Sequence, residues 1–171
     1  MDEQGHEAQV NEVGDLLIKG ESIAASYWNL NEENKKKFIG NWLVTGDKYF
    51  KDEDGFYWYA GRNDDMMKVN GIWVSPIEIE NALLSHPDIL ETAVVAVKDE
   101  NGLVKPKAFI VLKSNAESGE GVKAELKGFV KKVLAPYKYP RDIEFVNELP
   151  KTSTGKIQRF KLRESEIKSQ S

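Results

Sequence analysis

Hydrophobic positions along this chain change their spacing several times, and each change marks an element. Residues 1–13 carry little apolar material and are expected to be disordered. Gly14 to Gly20 reads as a short strand enclosed by glycines. A polar run, Asn31 to Phe38, fits a short surface helix whose Lys35, Lys36 and Lys37 would form a solvated face. Two aromatic runs, Lys48 to Lys51 and Phe56 to Ala60, flank Asp52-Glu53-Asp54-Gly55, which predicts a hairpin around an acidic turn. By periodicity the aromatics of that hairpin belong in a core, and Asp47 is a turn residue after Gly46.

A helix is predicted from Pro76, with Ser75 as N-cap and Glu78 as the capping-box acid. Ile77, Leu83 and Leu84 give it a rough apolar stripe, and His86-Pro87 stops it, leaving His86 a structural or exposed residue. The β-branched run Glu91 to Lys98 is a strand, Asp99 to Gly102 a turn, and Lys107 to Lys113 a second strand. Ser114 to Gly121 reads as a polar loop. Val122, Leu126, Phe129, Val130, Val133 and Leu134 recur at helical steps, so Val122 to Leu134 is an amphipathic helix with a core-facing stripe. Ala135 to Pro140 breaks it, Arg141 to Val146 makes a third strand, and a basic helical tail follows Arg159. Residues 65–171 therefore predict an α+β unit with three strands and two or three helices, large enough for its own core.

A length of 171 residues allows one ordinary domain, or one domain with a piece of another. There is no cysteine, which excludes disulfides and thiolate metal sites and favours a cytoplasmic setting. Two histidines, His6 and His86, are too few for a histidine-rich metal site. No apolar run is long enough for a transmembrane helix, and a net charge of -4 gives no reason to expect nucleic acid or an anionic membrane as partner. The acidic, polar start, Met1 to Glu7, is unlike a signal or transit peptide.

Candidate chemistry gathers where regular structure is interrupted, between Gly61 and Glu80. Gly61 can take positive φ, while Asn63, Asp64 and Asp65 favour turns through short side chains that bond the local backbone. Gly71 permits a tight bend or a close approach to a ligand, although an ordinary charged connector would carry the same residues. A second stretch, Leu149 to Arg159, reads as a mobile glycine-containing loop presenting the primary amine of Lys156. It is not a Walker phosphate loop, which needs glycine at position 150 and a hydroxyl residue after the lysine; Pro150 and Ile157 stand there. Taken alone, an exposed loop lysine is an ordinary surface lysine.

These stretches, with Thr45-Gly46-Asp47 and the Gly14 to Trp28 segment, resemble in the right order the motifs of the adenylate-forming enzymes. That superfamily contains acyl-CoA synthetases, adenylation domains and firefly luciferase. The likeness leans towards its benzoate-CoA ligase and medium-chain acyl-CoA synthetase branch, and Tyr137-Lys138-Tyr139-Pro140 favours CoA ligases. The resemblance implies that Asp47 accepts hydrogen bonds from the ribose diol of ATP and that Arg62 also reaches the ribose. It makes Asp64 the hinge and Lys156 the catalytic cation between substrate carboxylate and α-phosphate. Lys68 would assist the thioester step, and Gly71, Ile72 and Trp73 would border the pantetheine of CoA.

On the same resemblance, residues 1–63 are the β-rich end of a large N-terminal domain and residues 64–171 a mobile C-terminal domain. The implied substrates are a carboxylic acid, ATP and CoA, with AMP released and the acid an aromatic one such as benzoate. No metal ligand is expected here, because the family's magnesium glutamate belongs to the N-terminal domain, which is the expected partner. The chain alone is expected to be inactive. Its opening in a β segment without partner strands favours a shortened chain. The alternatives are part of an adenylation domain that loads a carrier protein, luciferase chemistry, or a non-catalytic nucleotide-binding or regulatory module.

Overall fold

The computed structural model describes residues 1–114, 116 and 118–169. The chain divides into two compact units, Met1–Asp64 and Asp65–Ser171.

The first unit is an antiparallel sheet laid around one long strand. β1 (Gly14–Ile18) is followed by α1 (Asn31–Lys37), β2 (Phe38–Ile39), β3 (Trp42–Lys51) and β4 (Tyr57–Arg62). β3 pairs with β1, β2 and β4. The acidic turn closes as its residues dictate: Asp52 Oδ1 accepts from Phe56 N at 2.8 Å, and Gly55 takes φ +85°. Trp58 Nε1 donates to Asp52 Oδ2 at 2.6 Å and holds that carboxyl below its ordinary range.

The hairpin aromatics do not enter a core. Phe56, Tyr57, Trp58 and Tyr59 are all exposed, at 65, 62, 54 and 45 %. Successive strand residues point to opposite faces, so exposure of three consecutive β4 residues means that the described residues cover neither face there. The lysine cluster also differs from expectation. Lys35 and Lys36 pair with Glu32 and Glu33 on the helix surface, but Lys37 is half-buried and turns towards Gly46. Residues 1–13 form turns rather than a free tail, tied by the Met1 ammonium to Asp15 O at 2.7 Å and by His6 N to Asp2 Oδ1 at 2.8 Å.

The second unit begins with a two-stranded ribbon, regular structure where the sequence predicts an interruption. β5 (Met67–Val69) pairs antiparallel with β6 (Ile72–Val74). Asn70 and Gly71 turn the chain with φ +50° and +83°, the two left-handed residues that a tight hairpin requires, and an Asn-Gly pair supplies them at low cost. α2 (Pro76–Leu84) then starts as expected, with Ser75 Oγ accepting from Glu78 N at 3.3 Å. Both Glu78 carboxylate oxygens take bonds from Lys138 Nζ at 2.7 Å.

β7 (Ile89–Lys98) and β8 (Val104–Leu112) pair antiparallel, α3 (Glu120–Val133) crosses over, and β9 (Asp142–Phe145) returns parallel to β8. α4 (Arg159–Ser169) ends the described chain. Two positions of the expected Ser114 to Gly121 loop, 115 and 117, lie outside the described residues, and α3 begins at Glu120 inside that span.

This three-stranded sheet is covered on both faces. Val94, Ala108, Ile110 and Ile143 pack with Ile79 and Leu83 of α2, Leu126 and Val130 of α3, and Met67, Val69 and Val74 of the ribbon. The alternate positions, Ala93, Val95, Phe109 and Val111, pack with Leu149 and with Leu162 of α4. Burial on two sides explains why β7 and β8 read as continuous apolar runs rather than as alternating ones. The α+β class with a three-stranded sheet and flanking helices is therefore what residues 65–169 adopt. His86 is structural: it is buried, stacks edge-on to Phe129 at 5.1 Å and accepts weakly from Asp88 N at 3.4 Å.

Candidate functional site

In the first unit, strand register brings Asp47 and Arg62 opposite each other on β3 and β4. Arg62 Nε lies 3.4 Å from Asp47 Oδ1, and both side chains reach solvent. Thr45 fixes the approach: its hydroxyl donates to Leu16 O at 3.0 Å and accepts from Asp47 N at 3.1 Å. Gly46 takes φ +81°, and its carbonyl accepts from Asn63 N at 2.9 Å. A Cβ at Gly46 would fall 2.9 Å from Lys37 Nζ and 3.4 Å from Arg62 Nη2. A carboxylate and two cations thus surround a backbone position kept bare. That set suits a polyhydroxyl or anionic ligand, since it offers charged acceptors and donors together.

In the second unit the expected residues form two groups. Lys68, Gly71, Ile72 and Trp73 share the β5–β6 ribbon rather than a loop. Lys68 and Trp73 are cross-strand partners, with the ammonium 5.3 Å from the indole centroid, and Ile72 is exposed. Lys156 stands apart, on the segment between β9 and α4. That segment is a closed hairpin rather than an unstructured loop. Lys151 and Ile157 form an antiparallel bridge, Thr152 N donates to Lys156 O at 2.8 Å, and Lys156 N donates to Thr152 Oγ1 at 3.1 Å. Gly155 turns it with φ +81°. The Lys156 side chain is exposed and has no carboxylate partner among the described residues, so its charge is available. Asp64 sits in an exposed turn and likewise has no side-chain partner among them.

Residues 78–156 match the family model for the AMP-binding enzyme C-terminal domain, a span that ends on Lys156 itself. Over that span the chain is similar to the C-terminal domain of AMP-binding enzymes. It is 57 % identical over 164 residues to a benzoate-CoA ligase of Thauera aromatica, covering 95 % of this chain and 31 % of that protein. It superposes on the crystal structure of a benzoate CoA ligase from Burkholderia xenovorans with TM-score 0.85 and 55 % identity, covering 95 % of this chain and 32 % of that one. An anthranilate CoA ligase crystallised with anthranoyl-AMP gives TM-score 0.91 at 48 % identity, over 99 % of this chain and 33 % of that one. The chain spans about a third of the length of the curated relatives it matches.

One further group of residues is not legible from the sequence pattern. Glu80, on the buried side of α2, accepts from Arg159 Nε at 3.2 Å and from Arg159 Nη2 at 2.9 and 2.8 Å, and also from Val94 N at 2.8 Å. Burial pushes the Glu80 carboxyl above its ordinary range, and Arg159 pulls it back. Asp65 accepts from Arg163 Nη1 at 2.8 Å and lies 3.6 Å from Arg159 Nη1. The signal was an arginine pair at i and i+4 on α4, which must share one helix face, and an acid set among the apolar positions of α2. Nothing in local spacing says that residues 79 positions apart will meet.

Proposed function

We propose that this chain is the C-terminal part of an AMP-forming ligase that joins an aromatic carboxylic acid to CoA. The observation that carries the proposal is Lys156: an ammonium with no carboxylate partner among the described residues, held out on a closed hairpin at the end of the span that matches the AMP-binding enzyme family. In the first step a substrate carboxylate oxygen attacks the α-phosphorus of ATP, and the bond to the pyrophosphate oxygen breaks. Negative charge from both reactants converges there, and a point cation on a flexible stem offsets it. Asp47 and Arg62 fit the nucleotide ribose, one as acceptor and one as donor.

In the second step the CoA thiolate attacks the acyl carbon, and the bond to the AMP oxygen breaks. The β5–β6 ribbon would serve here, with Gly71 leaving room beside the backbone for pantetheine, Ile72 and Trp73 bordering it, and Lys68 assisting the thiol. Exchange of Lys156 for the ribbon requires rotation of the second unit, with Asp64 as pivot. The magnesium ligands belong, on this reading, to the N-terminal domain, the partner of this one. No helix of the described residues is long and apolar enough to cross a membrane, and we place the reaction in the cytoplasm, where ATP and CoA are available.

The names of the relatives support an aromatic acid such as benzoate as substrate. The test is a panel on the full-length ligase: benzoate, hydroxybenzoates and a medium-chain fatty acid as donors, with CoA and a phosphopantetheinyl carrier protein as acceptors. Aryl-CoA formation is expected from benzoate. Transfer only to the carrier protein would replace this reading with a carrier-loading one. ATP–pyrophosphate exchange by the 171-residue chain alone is expected to be absent.

A further inference from the structure

The Lys156 hairpin is anchored at both of its arms. Its leading arm is held where Lys151 Nζ meets Glu91 Oε1 of β7 at 2.6 Å, with both side chains partly exposed. Its trailing arm is held much more firmly. Gln158 N donates to Pro150 O at 2.8 Å, Ile157 packs against the cluster beneath the sheet, and Arg159, three residues beyond Lys156, forks onto the buried Glu80. Glu80 is itself fixed by Val94 N of β7, so the guanidinium is referred directly to the central sheet. The same Arg159 lies 3.6 Å from Asp65, which Arg163 also holds. Asp65 directly follows Asp64, so the hairpin, α4 and the first residue beyond the pivot are tied together.

We propose that Arg159 is the positioning residue for Lys156, setting the trailing arm of its hairpin through the fork onto Glu80, and that it serves the adenylation step alone. The inference rests on the function proposed above. A guanidinium is needed because its planar fork fixes direction as it engages the two carboxylate oxygens; a lysine would supply charge without orientation. A loss of orientation costs rate without costing nucleotide affinity, since misplacement of about 1 Å lowers a rate by about a hundredfold.

The test uses the full-length ligase and separates its two half-reactions. Arg159→Lys is expected to lower ATP–pyrophosphate exchange by at least about tenfold through kcat, with KM for ATP unchanged. Thioester formation from preformed acyl-AMP and CoA is expected to stay within about twofold of wild type, because Lys156 takes no part in it. Combined with Lys156→Ala, Arg159→Lys is expected to cause no further loss, since there is then nothing left to position. Should Arg159→Lys fail to fold, Glu80→Gln, which keeps the bond from Val94 N, is expected to give the same pattern. Equal losses in both half-reactions, or losses that add to that of Lys156→Ala, would overturn the proposal by making Arg159 merely structural. If Lys156→Ala alone leaves exchange intact, the function proposed above fails at its base, a result readable without any Arg159 variant.

Discussion

The two units of this chain are built by opposite rules. In Asp65–Ser171 the sheet is covered on both faces, and its two clusters of buried side chains draw on every strand of that sheet and on α2, α3 and α4. In Met1–Asp64 the described hydrophobic residues are mostly exposed, with Trp28 at 95 %, and Ala60 is the one buried hydrophobic side chain described there. The first unit holds together by strand pairing, turn bonds and a buried Lys48 at 3.1 Å from Asp15. The difference teaches where stability is stored. Apolar burial makes the second unit a self-sufficient body, while hydrogen-bonded strands without such burial are marginal in water.

Substitutions can break or sharpen that contrast. The largest loss is expected from Glu80→Ala, which leaves the Arg159 guanidinium half-buried without its main partner and costs about 3–5 kcal/mol in denaturant unfolding of the second unit. Ile110→Ala, at a fully buried position, is expected to cost about 2–5 kcal/mol by the same measurement. Lys107→Met should cost less, about 1–3 kcal/mol, because two of its three carboxylate partners, Glu144 and Asp142, remain half in water and only Glu166 is largely buried.

Lys107 also carries a pH signature. Burial pulls its ammonium down, but the bonds to Glu144 and Glu166 outweigh this and hold its pKa above the ordinary range. A raised folded value gives stability that is complete below the unfolded pKa and is lost as pH rises through the folded one. The Tm gap between wild type and Lys107→Met should therefore be constant from neutral pH to about pH 10 and narrow above it. A gap that fails to narrow above that pH would contradict the assignment. The smallest effect is expected in the first unit, where Trp58→Ala in this chain should stay within about 0.5–1 kcal/mol, a loss of one exposed bond and little burial.

How much of this the sequence disclosed follows from the range of the interactions. α2, β7, β8, α3 and β9 were legible because one stripe or run of apolar residues identifies each of them. The β5–β6 ribbon was missed because its strands have three residues each, too few to show a period, and Gly71 drew attention as a loop residue. The Asn70-Gly71 pair was the signal that could have found it. The hairpin aromatics were misplaced because hydrophobicity predicts burial only where another layer is available to cover it. Candidate site residues such as Asp47 and Lys156 were found through motif resemblance rather than periodicity. The Glu80–Arg159 fork, being a purely tertiary contact, was beyond both.

The central claim is that the second unit delivers the Lys156 ammonium to the adenylation step and to no other. The direct measurement is Lys156→Ala in the full-length protein, with ATP–pyrophosphate exchange and thioester formation from preformed acyl-AMP followed separately. Exchange should fall by about 10²–10³ while the thioester step holds within about twofold. Exchange at the wild-type rate, or an equal fall in both steps, would contradict the account.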